Sequence, residues 1–303
     1  MAAEDALLVG IDGGGSGTRL MAQWRGRCVE VTGGPSGLAL GVARAWRTIL
    51  ALLEEARQAL GATLPVEQCH LALGLAGANQ WSWRDAFFQA APDLAGLRLE
   101  SDAFTTLVGA HQGLPGAIVA LGTGSVGEAL HGDGRRVSVG GYGFPSGDEA
   151  SGAWLGLRAS RHVQHALDGR VAPDDFSRAL CETMSMLASA PVTCAATLTH
   201  WLSSADQTRI AALAPVVIRH GDHPVAQALL HQAGEDIALM YQALDPRGQL
   251  PLALCGGLAD ALEPWVPQAL ATQLVRPKGS SVEGALRLAG ELCPSSQGRQ
   301  TLQ

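Results

Sequence analysis

The sequence predicts an α/β protein of two similar domains, and three observations lead to that prediction. Its 303 residues are enough for two domains of ordinary size, and 47% of them are hydrophobic, enough to bury a substantial core. Apolar stretches of strand length alternate with stretches of helical periodicity. A strand, a glycine-rich turn and a second strand occur near the N-terminus and again after residue 115.

The first domain is predicted to begin with three strands and to continue with helices and strands in alternation. Gly61 is a suitable stop for the first helix, and Ser36 is a candidate N-cap near its start. The predicted strands are 6–11, 19–24, 28–32, 70–75 and 97–101, and the predicted helices are 42–60, 81–91 and 103–112. The expected order is therefore βββαβαβα.

The second domain repeats the strand–turn–strand opening and then contains a long helical insertion. Its predicted strands are 117–121, 126–131, 135–139, 251–255 and 273–276, with helices within 150–243 and over 258–269, and a last helix at 282–292. We expect the first domain to span 1–115, completed by the last helix at about 282–293, and the second to span 116–281.

Composition argues against several classes of function. A formal charge of -7 without a Lys/Arg cluster argues against a nucleic-acid partner. The acidic start Met1–Asp5 is unlike a secretory signal, and no apolar run reaches the ~18 residues of a membrane span, so we expect a cytoplasmic protein without a membrane partner. The six cysteines and the histidines of the helical region lack the usual spacing of metal ligands, so we expect buried free thiols and core or solvated imidazoles.

The segment Gly10–Arg19 is the first candidate phosphate site. Asp12 stands at the end of a predicted strand, and the glycines that follow let backbone N–H groups approach an anion. The segment is not a P-loop because GxxxxGK[ST] is missing, and a strand rather than a helix is predicted to follow, unlike a dinucleotide fingerprint. A plain tight hairpin is the alternative interpretation.

A second glycine-rich turn, Gly122–Ser125, repeats this pattern and adds two hydroxyl groups that could hold a terminal phosphate. Gly256 and Gly257 end a later predicted strand before a helix, where the backbone can lie flat against a base or ribose. Two phosphate turns, one in each domain, would hold a nucleotide between the domains.

Two aspartates are candidates for contact with a substrate. Asp102 follows a predicted strand and precedes a helix, so it can either cap the helix or project into a cleft at the carboxyl end of the strand. Asp148 lies in the glycine-rich loop 140–152, where its carboxylate could accept hydrogen bonds from sugar hydroxyls. For Asp148 and Glu149 the alternative is a favourable interaction with the dipole of the next helix.

Taken in order, these motifs resemble the N-acetylglucosamine kinase family, whose wider group includes the ATPase subunits of benzoyl-coenzyme A reductase. The resemblance runs from about Gly10 to Ala289 and is carried by Asp12–Arg19, Gly74–Gly77, Ser101–Ala103, Gly122–Ser125, Gly141–Ser151 and Cys255–Gly257. It implies the fold shared by actin, heat-shock ATPases and hexokinases, in which two ribonuclease-H-like domains enclose a cleft for ATP and sugar.

The resemblance also implies roles for individual residues. Asp102 would be the catalytic base that takes the proton from the 6-hydroxyl of the sugar, and Asp12 would face Mg²⁺. The residues that would bind ATP are Gly13, Gly14, Gly15, Thr18, Gly122, Thr123, Gly124, Ser125, Gly256 and Gly257. The residues that would bind the sugar are Asp102, Asp148, Ser36 and Gly77.

Two positions depart from the family pattern. Gly37 stands where many relatives have an Asn that contacts the sugar, and Tyr142 stands where the eukaryotic kinases carry Trp. The expected function is an ATP-dependent kinase acting on an amino sugar, most simply N-acetylglucosamine, with glucosamine as the alternative. An ATPase activator of a reductase or dehydratase and a non-catalytic sugar sensor are further alternatives, and a homodimer is left open.

Overall fold

The computed structural model describes residues 6–293 and divides into two compact units, each with its own sheet and core. Unit 1 holds the chain up to Pro115 and again from Arg276 onward, and unit 2 is Gly116–Val275. The segment Met1–Asp5, whose acidic character entered the expectation of a cytoplasmic protein, lies outside the described residues. Among residues 6–293, no helix is long and apolar enough to cross a membrane.

Strands and helices follow the predicted order in the first unit and largely in the second. The strands are β1 Leu7–Gly13, β2 Thr18–Trp24, β3 Arg27–Gly33, β4 Cys69–Leu75, β5 Gly96–Glu100, β6 Gly116–Leu121, β7 Ser125–Leu130, β8 Arg136–Gly140 and β9 Leu252–Cys255. The α-helices are α1 Val42–Leu60, α2 Trp81–Gln89, α3 Asp102–His111, α4 Gly152–Leu167, α5 Asp175–Ala188, α6 Ala195–Ser204, α7 Gln207–Ala211, α8 Ala214–Arg219, α9 Pro224–Leu244, α10 Ala259–Leu262 and α11 Ser281–Glu291.

The two sheets share one strand pattern. Unit 1 has the order β3-β2-β1-β4-β5 and unit 2 has the order β8-β7-β6-β9. In both, the first three strands along the chain form an antiparallel meander, and the strand after the next helices pairs parallel with the first. The repeat predicted from the two glycine-rich turns is therefore a repeat of sheet topology.

Helix α11 completes unit 1 by packing directly on β1 and α3. The approach is so close that a Cβ added at Gly10 of β1 would lie 2.2 Å from the Leu286 backbone nitrogen. A Cβ at Gly109 of α3 would lie 2.0 Å from the Ser280 carbonyl oxygen, and one at Gly284 of α11 would lie 2.0 Å from the Thr105 carbonyl oxygen. Glycine at these three positions lets the backbones touch, and this contact brings the start of α11 to the end of β1.

Three local predictions were wrong for identifiable reasons. The predicted helix 258–269 is broken into the short helix α10 and two 3-10 turns, because Pro264 and Pro267 interrupt it. The predicted strand 273–276 is a single bridge between Leu252 and Leu274, since a turn precedes it and Pro277 follows. Ser36 is not the cap of α1, which begins after Gly41 without a side-chain cap.

The predicted end of α1 is confirmed. Gly61 lies at its C-terminus with a φ of 67°, a left-handed conformation that glycine adopts without strain.

Candidate active site

The turn between β1 and β2 is closed by its backbone and open on its outer side. The Gly14 N–H donates to the Gly17 carbonyl at 3.0 Å. A Cβ at Gly14 or at Gly15 would meet nothing within 4 Å, so the face of this turn is free for a ligand. It borders a cavity of about 360 Å³ whose lining includes Asp12, Arg19 and Asp102.

Asp12, at the end of β1, has a partner on each carboxylate oxygen. Its Oδ2 accepts a hydrogen bond from the Arg19 guanidinium at 2.8 Å, and the Arg19 side chain is half-exposed. Its Oδ1 accepts a hydrogen bond from the Ser281 hydroxyl at 3.0 Å. The carboxylate is thus held by the half-exposed Arg19 side chain on one side and by the start of α11 on the other.

Asp102 is the first residue of α3 and does not cap that helix. The cap is Ser101, whose Oγ accepts from the Phe104 N–H at 3.1 Å, so the capping alternative for Asp102 is wrong. Burial raises the pKa of the Asp102 carboxyl, and the nearby negative charge of Asp12 raises it further, against a hydrogen bond from the Ala103 N–H. A carboxylate whose pKa is raised in a cavity is suited to accept a proton.

Thr18 and Ser36 lie beneath the first turn rather than on its open face. The Thr18 hydroxyl lies 2.7 Å from Ser36 Oγ and 2.6 Å from the Gly34 carbonyl, and both side chains are buried. A Cβ at Gly13 would lie 2.0 Å from Ser36 Oγ, so this glycine makes room for the serine. The structure therefore gives these hydroxyls a supporting position, and their contact with ligands stays a prediction.

The segments that contain Gly37 and Gly77 border the same turn. The Gly37 N–H donates to the Gly14 carbonyl at 3.0 Å, and the Ala76 N–H donates to the Gly13 carbonyl at 2.9 Å. Gly77 has a φ of 90°, and a Cβ there would lie 3.0 Å from the Trp83 ring. Gly77 is thus required by the turn after β4, and its predicted sugar contact is untested.

The second glycine-rich turn, in unit 2, is braced from behind. The Gly152 and Ala153 N–H groups donate to the Gly122 and Thr123 carbonyls at 2.8 and 3.1 Å. The Ser125 hydroxyl donates to the Glu149 carbonyl at 2.6 Å, which leaves Thr123, with its exposed side chain, as the predicted hydroxyl on the outer side.

Asp148 supports the second glycine-rich turn through the hydrogen bonds that its side chain accepts. Its side chain is buried and accepts hydrogen bonds from the Gln207 amide, at 2.7 Å, and from the backbone N–H groups of Ser125 and Gly143. A Cβ on Gly124 would lie 2.9 Å from its Oδ2. Burial raises the pKa of Asp148, although these hydrogen bonds work in the opposite direction. The predicted sugar contact of Asp148 remains untested.

The dipole alternative for the acids of this loop stays a prediction. Helix α4 begins after its cap Ser151, with no acid in its first turn, so Asp148 and Glu149 precede the helix.

Gly256, with a φ of 93°, lies against the end of β6, where a Cβ would stand 2.5 Å from the Leu121 carbonyl oxygen. A Cβ at the next residue, Gly257, would meet nothing within 4 Å, so this part of the predicted adenosine turn is open.

Sequence reasoning missed three side chains that support these residues: Thr105, Gln207 and Ser281. Ser281 contacts Asp12 across 269 positions, and Gln207 contacts Asp148 across 59. No local pattern indicates such contacts. The S-x-x-E pattern at Ser280 and Glu283 does form a capping box, and it could have placed the start of α11.

Two histidines of unit 2 share one carboxylate oxygen. His162 Nε2 and His223 Nε2 lie 2.8 and 3.1 Å from Asp174 Oδ2. His223 Nδ1 accepts a hydrogen bond from the Val225 N–H at the start of α9, so the proton of a neutral His223 is on Nε2, directed at Asp174. Since Asp174 caps α5, this group joins the starts of two helices, and its bonds favour that role over metal ligation.

The donors around the first turn fit a magnesium ion by their chemistry. Asp12 and Asp102 present carboxylate oxygens, the type of ligand that Mg²⁺ prefers. The Arg19 guanidinium on Asp12 Oδ2 shows that this oxygen already accommodates a positive charge.

Comparison with known proteins gives a consistent result over nearly the whole chain. The family profile described as the BadF/BadG/BcrA/BcrD ATPase family matches residues 9–289. A glucosamine kinase of Vibrio cholerae is 33% identical over 293 residues, which cover 93% of this chain and 95% of that protein. An N-acetylmuramic acid/N-acetylglucosamine kinase of Clostridium acetobutylicum is 30% identical over 170 residues, 54% of this chain and 55% of that protein.

A solved structure confirms the fold class. The crystal structure of a provisionally named N-acetylglucosamine kinase from Chromobacterium violaceum is 43% identical to this chain, with a TM-score of 0.86, over 94% of this chain and 99% of that one. The predicted α/β fold of two similar domains and the predicted resemblance are both confirmed.

Proposed function

This chain belongs to the BadF/BadG/BcrA/BcrD ATPase family, and from that premise we propose that it transfers the γ-phosphoryl group of ATP to the 6-hydroxyl of an amino sugar. The observation that carries the proposal is the cavity of unit 1. It combines an open glycine turn with two carboxylates, Asp12 and Asp102, and the pKa of Asp102 is raised. The named kinase relatives support the same reaction class.

In this mechanism Asp102 accepts the proton of the sugar hydroxyl as the oxygen attacks the γ-phosphorus. A base with a raised pKa holds that proton better, and general-base catalysis of this kind contributes roughly 10² to 10⁴ in rate. The N–H group of Gly15, on the open side of the turn, donates to a phosphate oxygen, while the Gly14 N–H closes the turn on the Gly17 carbonyl. Arg19 can move from Asp12 to a phosphate because its side chain is half-exposed.

Asp12 is the residue that would hold Mg²⁺, directly or through water. When bound, the ion supplies neutralisation of the phosphate charge, and the protein supplies position and orientation. Within unit 2 we assign phosphate binding to Gly122–Ser125, with Thr123 as its free hydroxyl, and adenosine binding to Gly256 and Gly257.

N-acetylglucosamine is the first candidate acceptor and glucosamine the second. The 43% identical structure carries the first name and the 33% identical relative carries the second. Residue 37 offers no side chain for selection between them. A Cβ there would stand 3.2 Å from the Gly14 carbonyl carbon, so a larger residue would require the glycine turn to shift.

The test is an ADP-release assay with glucosamine, N-acetylglucosamine, N-acetylmannosamine, N-acetylmuramic acid and glucose, each with a sugar-free control. We expect turnover that depends on an amino sugar, and a product in which NMR places the phosphoryl group on the oxygen of C6. ADP release at the same rate without any sugar would instead support an ATPase activator. Absence of turnover with every sugar, while the protein still binds ADP, would support a sugar sensor.

A further inference from the structure

We propose that Ser281 and Thr105 are positioning residues, forming a chain of hydroxyl groups that holds the Asp12 carboxylate in the orientation needed for phosphoryl transfer. The proposal rests on the proposed function, because it assigns these two side chains to the site of that reaction. We call Thr105 and Ser281 the hydroxyl chain, and Asp12 is the carboxylate that it holds. All three lie in unit 1, on α3, α11 and β1.

The distances give the hydroxyl chain a direction. Ser281 Oγ donates to Asp12 Oδ1 at 3.0 Å and lies 2.8 Å from Thr105 Oγ1. A serine hydroxyl has one proton, and the ionised carboxylate is the stronger acceptor, so the Ser281 proton points to Asp12. The Thr105 proton then points to Ser281, since its other acceptors, the carbonyls of Asp102 and Ser101, are more distant at 3.1 and 3.4 Å.

Burial makes the two hydroxyls dependent on each other. Thr105 is fully buried and Ser281 is 7% exposed, so bulk water cannot replace a lost partner. Hydrogen bonds that end on a charged acceptor are stronger than neutral ones, and successive hydroxyls polarise one another. The hydrogen bond from Ser281 therefore holds Asp12 Oδ1 in one position.

The backbone around these side chains is built to admit them. A Cβ at Gly74, on β4, would stand 1.9 Å from Thr105 Oγ1, so only glycine leaves space for that hydroxyl. The contact of Gly284 with the Thr105 carbonyl, described above, sets Ser281 one turn earlier on α11 beside Thr105.

The two carboxylate oxygens of Asp12 therefore differ in their partners, one half-exposed and one buried. Oδ2 faces Arg19, a half-exposed side chain that can leave when Mg²⁺ or phosphate arrives. Oδ1 faces the buried hydroxyl chain, which keeps the carboxylate plane fixed during that exchange. Thr105 also lies on α3, three residues after Asp102. The hydroxyl chain therefore links the helix that carries Asp102 to the carboxylate of Asp12.

The experiment compares Ser281→Ala, Thr105→Val and Thr105→Ser, with Thr106→Val as the matched control. Thr106 is a neighbouring hydroxyl on α3 that donates to the Asp102 carbonyl at 2.7 Å and has no contact with Ser281 in the described hydrogen bonds. Turnover is measured over a range of sugar concentrations, which gives kcat and KM, and the Mg²⁺ dependence of ADP binding is measured by calorimetry. Thermal unfolding reports whether each variant is folded.

We expect Ser281→Ala to lower kcat and the Mg²⁺-dependent part of ADP affinity by about tenfold each, the size typical of groups that orient metal ligands, with the KM for sugar unchanged. Thr105→Val is expected to change the same two quantities in the same direction, and Thr105→Ser to restore them because it returns the hydroxyl. Thr106→Val is expected to match the wild-type protein in both.

Folded Ser281→Ala and Thr105→Val proteins with wild-type kcat and wild-type Mg²⁺ dependence would overturn the proposal. So would a Thr105→Ser protein as impaired as Thr105→Val, because packing and not the hydroxyl would then matter. If the wild-type protein phosphorylates no sugar, the proposed function fails, whereas the calorimetric comparison still tests the hydroxyl chain.

Discussion

The two glycine-rich turns occupy equivalent places in their sheets, yet they are built differently. The turn of unit 1 has open space around Gly14 and Gly15, and its acid, Asp12, belongs to the strand that enters the turn. The turn of unit 2 is braced by α4 and by Asp148, an acid supplied by the loop after β8. A repeated topology thus repeats the position of a turn without repeating its chemistry.

The difference indicates a division of work between the units. In unit 1 both acids line an open cavity, as expected for groups that meet a reacting substrate. In unit 2 the acid is buried among protein donors, as expected for a group that shapes a backbone. Substitutions at the turn of unit 1 should therefore change the catalytic rate or nucleotide binding, and substitutions at the turn of unit 2 should change the free energy of unfolding.

The largest effect is expected for Asp102→Asn. The amide keeps the shape of the side chain and cannot accept the proton, so kcat should fall by roughly 10² to 10⁴ while sugar binding is largely kept. A coupled ADP-release assay measures the rate, with Asp85→Asn on the exposed part of α2 as a control for the loss of one carboxylate. An Asp102→Asn protein with the normal rate would remove Asp102 from the mechanism.

A second comparison uses the same substitution in both turns. Gly124→Ala should destabilise unit 2 by about 1 to 3 kcal/mol, since the new methyl group would press on the Asp148 carboxylate and the bracing must shift. Gly15→Ala should leave stability nearly unchanged, because its Cβ meets open space, and should weaken nucleotide binding instead. Urea unfolding and calorimetric ADP titration separate the two outcomes. Equal destabilisation by both substitutions would contradict the contrast between an open and a braced turn.

A smaller loss is expected for Gln207→Ala. It removes the 2.7 Å hydrogen bond to the buried Asp148 carboxylate, which keeps its two backbone donors. We expect a loss of about 1.5 kcal/mol, at the low end for a hydrogen bond to a charged group. Gln232→Ala is the control, since that amide bonds the Asp236 carboxylate at an exposed position. A loss from Gln207→Ala no larger than that of the control would show that Gln207 does not brace the loop.

The smallest expected effect is the pH dependence of stability around Asp102. Because its pKa is raised in the folded protein, the folded state binds this proton more tightly than the unfolded state, and stability falls as pH rises from about 4 through the folded pKa. The Asp102→Asn protein lacks this loss and should be more stable than the wild type at pH 7. Their difference should shrink as the pH is lowered toward 4. A wild-type protein that is more stable than the variant at pH 7 would contradict the raised pKa.

Local features were predictable and distant contacts were not. The glycine turns, the βββαβαβα order and the stop at Gly61 each follow from a few adjacent residues. The break in the helix predicted at 258–269 could also have been predicted, because Pro264 is visible in the sequence and cannot continue a helix without losing a hydrogen bond.

The supports of the site could not be predicted in the same way. Ser281 and Gln207 reach their carboxylates only through the packing of helices far apart in the chain. The buried position of Ser36 likewise depends on Gly13, from another segment, making room for its hydroxyl. Each of these contacts is a property of three-dimensional packing rather than of a local pattern.

The membership of α11 in unit 1 has a consequence for synthesis. A ribosome makes β1 to β5 early, but the helix that covers Gly10 and supplies Ser281 leaves it among the last described residues. Until then the nascent chain exposes the face of β1 on which α11 packs, a surface of the kind that chaperones bind. A chain released before α11 is made would leave Asp12 without its buried partner, so the competent site requires translation through α11.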